Sequence, residues 1–253
     1  MADSIIRLVD LHKRFGKLVV LDGVSFDIPT GQTTAIIGPS GTGKSVLIKH
    51  IVRLLEPDQG QVWVGDVDMA TASEKQKYAV RRRFGMLFQD GALFDSMSAG
   101  ENVAFPLRYH TKLNERERRQ KAEEMMQLVE LPGVYDRPTS ALSGGQRKRV
   151  GLARAIVLEP EIILFDEPNS GLDPLTSDTI DALIGKMKRQ LGITFIVITH
   201  DIVSCVNIAD HIVMLNGGKL IEHNPTQTFI RSANPVVRDF LKRNVDLAAL
   251  ESQ

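Results

Sequence analysis

The sequence predicts an α/β fold: a largely parallel sheet with helices on both faces, antiparallel strands toward the N-terminus, and a block of helices inserted in mid-chain. Three observations predict it. Beyond Pro160 strand-like and helical stretches alternate, with strands over residues 162–165, 194–198 and 211–215 and helices over 173–190 and through Cys205. Such alternation is the pattern of parallel strands joined by crossover helices. The β-branched run Thr33, Thr34, Ala35, Ile36, Ile37 leads through a glycine-rich turn into a helix-like stretch over residues 45–51, a buried strand handing over to a helix. Between residues 92 and 160 no strand-like run occurs, and helical patterns cover 99–109, 114–131 and 145–158.

The remaining elements follow in order. Residues 5–11 and 19–28 read as antiparallel strands, with Lys13, Arg14, Phe15 and Gly16 between them. Residues 60–64 and 67–69 form short strands around Gly65-Asp66, a hairpin signal. Ser73 is placed to cap a helix running to about Arg82, and residues 84–88 form the next buried strand, ending in Gln89-Asp90-Gly91. The charged run from Glu115 to Lys121 reads as a solvated helix face, because Met125, Met126, Leu128 and Val129 supply an apolar stripe behind it. Gly217-Gly218 makes a turn, and residues 225–231 and 235–243 read as terminal helices. The last puts Val237, Phe240, Leu241 and Val245 on one face, to pack on the body or on another subunit.

Composition narrows the function. Lys plus Arg and Asp plus Glu both total 31 in 253 residues, so the chain lacks the basic excess of a nucleic-acid binder and no such partner is expected. A single cysteine, Cys205, excludes disulfide frameworks and Cys-rich zinc sites and reads as a small core residue. Residues 1–4 lack the features of a signal peptide, and no apolar run approaches the roughly 18 residues of a membrane span. The expectation is a soluble intracellular protein that reaches membranes only through partners.

Three stretches carry chemistry. Gly38, Pro39, Ser40, Gly41, Thr42, Gly43, Lys44 and Ser45 fit the phosphate-binding loop pattern. Glycines let the backbone approach phosphate oxygens, and the amides of residues 41–45 converge with the positive end of the helix dipole. Lys44 would then reach the β- and γ-phosphates and the Ser45 hydroxyl would hold Mg2+. Residues 161–167 form an apolar run closing in Asp166 and Glu167. As a central strand it delivers Asp166 beside the phosphate loop to hold Mg2+ directly or through water, and sets Glu167 to orient and deprotonate an attacking water. Leu142, Ser143, Gly144, Gly145 and Gln146 make a serine-capped helix start with paired glycines, a second anion nest. With a helical block between them, the second nest is expected to point away from the first and serve a nucleotide on another protomer.

In that order these residues resemble the nucleotide-binding subunits of ABC transporters, over nearly all of the 253 residues. Residues 38–45 correspond to Walker A, Gln89 to the Q-loop, residues 142–146 to the signature, and Asp166-Glu167 to the end of Walker B. Ser170, Gly171, Leu172 and Asp173 correspond to the D-loop, and His200 to the switch histidine. The resemblance implies an ATPase of the P-loop NTPase class: a RecA-like core with an antiparallel β-subdomain (1–91 and 160–233), a helical subdomain bearing the signature (92–159) and a C-terminal helical tail (234–253). It implies a head-to-tail homodimer sandwiching two ATP molecules with Mg2+, the neighbour's Ser143, Gly144, Gly145 and Gln146 and the D-loop Asp173 completing each site. His200 would hold the γ-phosphate and Glu167. Gln89 would sense Mg2+ and water and couple to a membrane subunit. Phe15 falls where the family stacks an aromatic ring on adenine; the alternative is a strand-end core residue. The remaining histidines, His12, His50, His110, His211 and His223, read as surface or core residues. Asn169 stands where the wider family commonly has Thr.

A narrower resemblance lies in residues 86–94, 101–108 and 234–241, which are similar to the ATPases of the mammalian-cell-entry (MCE) type bacterial lipid transporters, including the Mla system. It implies phospholipid transport between inner and outer membranes, at the cytoplasmic face of the bacterial inner membrane. The implied partners are an MlaE-like permease, a periplasmic MlaD-like MCE-domain protein and an MlaB-like STAS-domain regulator on the helical subdomain. Competing readings are an importer ATPase for amino acids or other small solutes, a soluble clamp of translation or DNA repair, and a degenerate ATP-binding scaffold. A single nucleotide-binding domain without a long coiled coil counts against the clamp, and the intact Glu167, His200 and Ser143 count against the scaffold.

Overall fold

The computed structural model describes residues 3–89 and 91–245. The chain begins with β1 (Ser4–Phe15), β2 (Leu18–Pro29), β3 (Thr33–Ile37), α1 (Lys44–Ile51), β4 (Gln59–Val64), β5 (Val67–Asp68), α2 (Glu74–Arg81) and β6 (Phe84–Leu87). The helical insertion holds α3 (Ala99–His110), α4 (Glu115–Leu128) and α5 (Gly144–Ile156). Then come β7 (Ile162–Asp166), α6 (Pro174–Leu191), β8 (Thr194–Ile198), α7 (Ile202–Ile208), β9 (His211–Asn216), β10 (Lys219–Pro225), α8 (Thr226–Phe229) and α9 (Pro235–Asn244).

Six strands form the central sheet in the order β10-β9-β3-β8-β7-β6, parallel except for the antiparallel β10. A second, antiparallel sheet has the order β2-β1-β4-β5. Alternation on β7 and β8 splits the interior. Ile162, Leu164, Ile196 and Ile198 pack with Leu47, Ile48 and Ile51 of α1 and with Ile6, Leu8 and Leu21 of the antiparallel sheet. Ile163, Phe165, Phe195 and Val197 face the other way, onto α5, α6 and the insertion. That second face continues under Ala35, Ile37, Ile212 and Met214, which α7, α8 and α9 cover. Helices on both faces were therefore expected correctly, but one face is shared between a helix and a sheet.

The insertion rests on three capping boxes: Ser98 with Glu101, Asn114 with Glu117, and Ser143 with Gln146. Each satisfies orphan amides at a helix start reciprocally. Its apolar residues Val103, Leu107, Ala122, Met126 and Val150 join the core beneath β7 and β8. Gly85 lets α5 come close to β6, since a Cβ there would lie 2.2 Å from the Ala155 carbonyl oxygen.

Three expectations need correction. Lys13, Arg14 and Phe15 are not a connection but the end of β1, paired with β2 across a turn at Gly16. The pairing is irregular there, with several register shifts, so the alternation that marks a strand is broken. The strand β10 went unrecognised because Lys219, Glu222, His223 and Asn224 mask the pattern on a half-exposed sheet edge. Residues 225–231 hold only the single turn α8, preceded by the end of that strand. The tail helix α9 packs on its own chain, with Val237 and Leu241 buried and Phe240 and Val245 partly so; residues 246–253 of the expected tail lie outside the described residues.

Candidate active site

Parallel register brings the chemistry to one edge. Ile36 of β3 and Asp166 of β7 both pair with Ile198 of β8. The chain segments that leave the three strands, residues 38–45, Glu167 and His200, therefore emerge level at the carboxyl ends, where open α/β sheets bind ligands.

In the phosphate loop, Gly38 has φ 145° and a Cβ there would lie 2.1 Å from the Leu215 carbonyl oxygen. Gly43 has φ 94° and its Cβ would meet the Val20 carbonyl oxygen at 2.8 Å, so both positions admit only glycine. Gly43 is the N-cap of α1 and no side chain caps that end, which leaves amides and dipole facing the loop. Lys44 arches over the loop, its Nζ donating to the Gly38 and Pro39 carbonyls at 2.7 and 3.0 Å. Thr42 Oγ1 donates to the Pro39 carbonyl at 2.8 Å, while Ser40, Gly41 and Ser45 are exposed. Burial lowers the Lys44 pKa, opposed by the negative charges of Glu167 and Asp166.

Asp166 ends β7 with its pKa raised, first by burial and then by the charge of Glu167, against the pull of Lys49 and Lys44. Glu167 adopts a left-handed φ of 52°, a conformation that costs a non-glycine residue about 1–2 kcal/mol. Its amide donates to the Ile198 carbonyl at 2.8 Å, and its own carbonyl accepts from Lys148 Nζ at 3.2 Å. The turn sends its carboxylate toward β8, where Oε2 lies 2.8 Å from His200 Nδ1. A carboxylate only accepts, so the imidazole Nδ1 carries the proton. The His200 side chain is 70% exposed, leaving its other nitrogen open to solvent.

Gln89 Nε2 donates to Ser170 Oγ at 3.1 Å, tying the Q-loop to the segment after Glu167. Asp173 caps α6, accepting from the Thr176 amide and hydroxyl, which together hold its carboxyl below the usual range. Ser143 is exposed at the start of α5, and the Gln146 side chain closes its capping box by accepting from the Ser143 amide. Gly145 is buried, its missing Cβ 2.6 Å from Thr176 Cγ2, and Gly144 lies against Leu172. Phe15 is 48% exposed beside Lys13, which excludes the strand-end core reading. His50 is buried against the Val46 carbonyl, and His211 and His223 meet edge to face, their ring centroids 5.4 Å apart.

Sequence reasoning missed two features of this site. Lys148 lies buried beneath the Glu167 carbonyl. Asn169, Asp181 and Ser204 form a buried polar cluster in which Asn169 Nδ2 donates to Asp181 Oδ1 at 2.9 Å and to Ser204 Oγ at 3.0 Å, while Ser204 Oγ donates to Asp181 Oδ1 at 2.8 Å. Asn169 alone stood out, as a departure from the family; its partners lie 12 and 35 residues away and carry no local signal.

A phosphate loop level with an Asp-Glu pair and a histidine, and a second glycine nest at the start of α5, define a nucleotide-hydrolysing P-loop cassette. The chain belongs to the ABC transporter family, whose profile matches residues 21–170, and it is an ATPase of that family. It is 43% identical over 236 residues to the Mycobacterium leprae "Probable ribonucleotide transport ATP-binding protein mkl", covering 93% of this chain and 68% of that protein. It is 38% identical over 244 residues to the Escherichia coli K12 "Intermembrane phospholipid transport system ATP-binding protein MlaF", covering 95% of this chain and 91% of that one. Among solved structures, the dimeric ATP-binding cassette MJ0796 in a post-hydrolysis state with ADP and Pi superposes with a TM-score of 0.79 at 31% identity, covering 88% of this chain and all of that one. No helix among the described residues is long and apolar enough to cross a membrane.

Proposed function

We propose that this chain powers phospholipid transport between inner and outer membranes, as a head-to-tail homodimer closed by two ATP molecules with Mg2+. The observation that carries the substrate class is the near full-length match to the phospholipid transport relative, 91% of whose length is covered against 68% of the relative named for ribonucleotide transport. The amides of Gly41, Thr42, Gly43, Lys44 and Ser45 cradle the phosphates, in the loop that Gly38, Pro39 and Ser40 open, and Lys44 swings from its carbonyl contacts to the β- and γ-phosphates. Ser45 and Asp166 offer the few protein oxygens that would hold Mg2+, which would supply neutralisation of the charge developing on the phosphates, and Gln89 would sense the ion and the attacking water. Phe15 stacks on adenine.

Glu167 takes a proton from water as its oxygen attacks the γ-phosphorus and the bond to the β-phosphate oxygen breaks, leaving ADP and phosphate. His200 holds Glu167 through Nδ1 and reaches the γ-phosphate through Nε2; donating to both requires a proton on each nitrogen. Ser143, Gly144, Gly145, Gln146 and Asp173 of the second copy complete the site.

An apolar groove beside the Q-loop, lined by Met86, Phe88, Phe94, Phe105 and Pro106, supports docking of a permease. A cleft on the insertion lined by Glu101, Arg108, Arg119 and Asp136 offers a polar surface for a STAS-domain regulator. The test is to isolate the chain from native membranes and identify its companions. A permease with a periplasmic MCE-domain protein is expected; a periplasmic solute-binding protein in its place would overturn the lipid reading.

A further inference from the structure

We propose that Asn169, Asp181 and Ser204 are positioning residues that hold Glu167 against His200 for hydrolysis, an inference that rests on the roles just assigned to those two side chains. The three belong to three different segments. Asn169 lies two residues after Glu167, Ser204 four residues after His200, and Asp181 on the 18-residue helix α6 behind both. Two donors, the Asn169 amide and the Ser204 hydroxyl, converge on one oxygen of Asp181, and the amide also bridges to the hydroxyl. The carboxylate therefore acts as a fixed point to which the loop carrying Glu167 and the helix following His200 are both referred.

The cluster is continuous with the backbone around the catalytic pair. Ser204 is tied to Asp201 by its amide, Asp201 to Thr199 Oγ1 by its own, and Leu172 to the Asn169 carbonyl. On the sheet side the parallel pairing of β7 with β8, continued by the bond from the Glu167 amide to the Ile198 carbonyl, sets the separation of the two strand ends. The triad closes the other side of the same frame. All three side chains are buried, so solvent offers no replacement partner when one is removed. Glu167 depends on such support because its left-handed backbone persists only where its surroundings over-determine it.

A positioning role differs measurably from a merely structural one. In the full complex, Asp181→Asn and Ser204→Ala should lower kcat about 10- to 100-fold, the effect of displacing a reacting group by around an ångström. KM for ATP and nucleotide binding should stay within about 3-fold, since the phosphate loop is untouched. Placed in a Glu167→Gln background, the same substitutions should lower the residual rate by less than about 2-fold, because no base remains to misplace. Ser204→Ala deletes one hydroxyl and keeps the test available should Asp181→Asn not fold. An equal loss in both backgrounds, or parental kcat in a folded Ser204→Ala protein, would overturn the proposal. Parental turnover in Glu167→Gln alone would remove the base assignment itself, a failure distinct from that of the triad.

Discussion

Glu167 combines a left-handed backbone, a carboxylate held by His200 and a carbonyl held by Lys148. Removing its charge while keeping its shape separates chemistry from binding. Glu167→Gln should slow steady-state hydrolysis about 100- to 10,000-fold, the usual contribution of a general base, while ATP binding measured by equilibrium titration stays near the parent value. Near-parental turnover with the membrane partner present would remove Glu167 from that role. The position of this residue at the end of a central strand was readable from an apolar run ending in Asp-Glu, since strand, order and residue type are all local. The backbone conformation that aims it was not, because φ at Glu167 is set by Ile198 and Lys148 from other elements.

At the scale of elements, helix contacts depend on glycines, among them Gly145, which the signature motif alone would assign to nucleotide binding. Gly145 sits where α5 meets α6, its missing Cβ 2.6 Å from the Thr176 methyl. Gly145→Ala should destabilise the fold by about 1–3 kcal/mol through overpacking, read as a fall in Tm. Adding Thr176→Ser, which deletes that methyl and keeps the hydroxyl on Asp173, should recover most of it. Gly85→Ala meets a backbone carbonyl 2.2 Å away instead of a side chain and should cost more, with no single side-chain change to relieve it. Helix starts at Ser73, Ser98, Asn114 and Ser143 show capping boxes, which is why helix positions were legible. Strand ends fared worse: β1 runs through the basic Lys13-Arg14 and β10 carries polar residues on a sheet edge, where burial does not impose alternation.

The whole molecule makes two claims that pairs of residues cannot. Moving a clamp from about 1:99 to 99:1 closed takes about 5.5 kcal/mol, or roughly 2.7 kcal/mol from each of two nucleotides, so a shared site lets each ATP contribute half. If each site combines one copy's Lys44 with the other's Ser143, then mixing a Lys44→Ala chain with a Ser143→Arg chain should restore turnover above either alone. In the mixed dimer both defects fall in one site and the other is intact. No gain on mixing, with heterodimers demonstrated, would make each site self-contained. The tail gives the second claim. Val237 and Leu241 are fully buried on the chain's own sheet face, and burying a side chain of this size contributes about 1.5–3 kcal/mol. Truncation after Asn234 should therefore lower Tm while leaving ATP-driven dimerisation in place; lost dimerisation at unchanged Tm would assign the helix to the partner.

By itself the sequence determined the phosphate loop, the Asp166-Glu167 strand end, the capped signature helix and their order along the chain. Each rests on residues a few positions apart, and local backbone physics ties such spacings to one conformation. Only the tertiary structure decided that Ile36, Ile198 and Asp166 stand level, that Gly145 and Asp173 shape the contact with α6, and that Asn169 meets Asp181 and Ser204. Those contacts join segments brought together by sheet register and core packing, which depend on the whole chain folding at once.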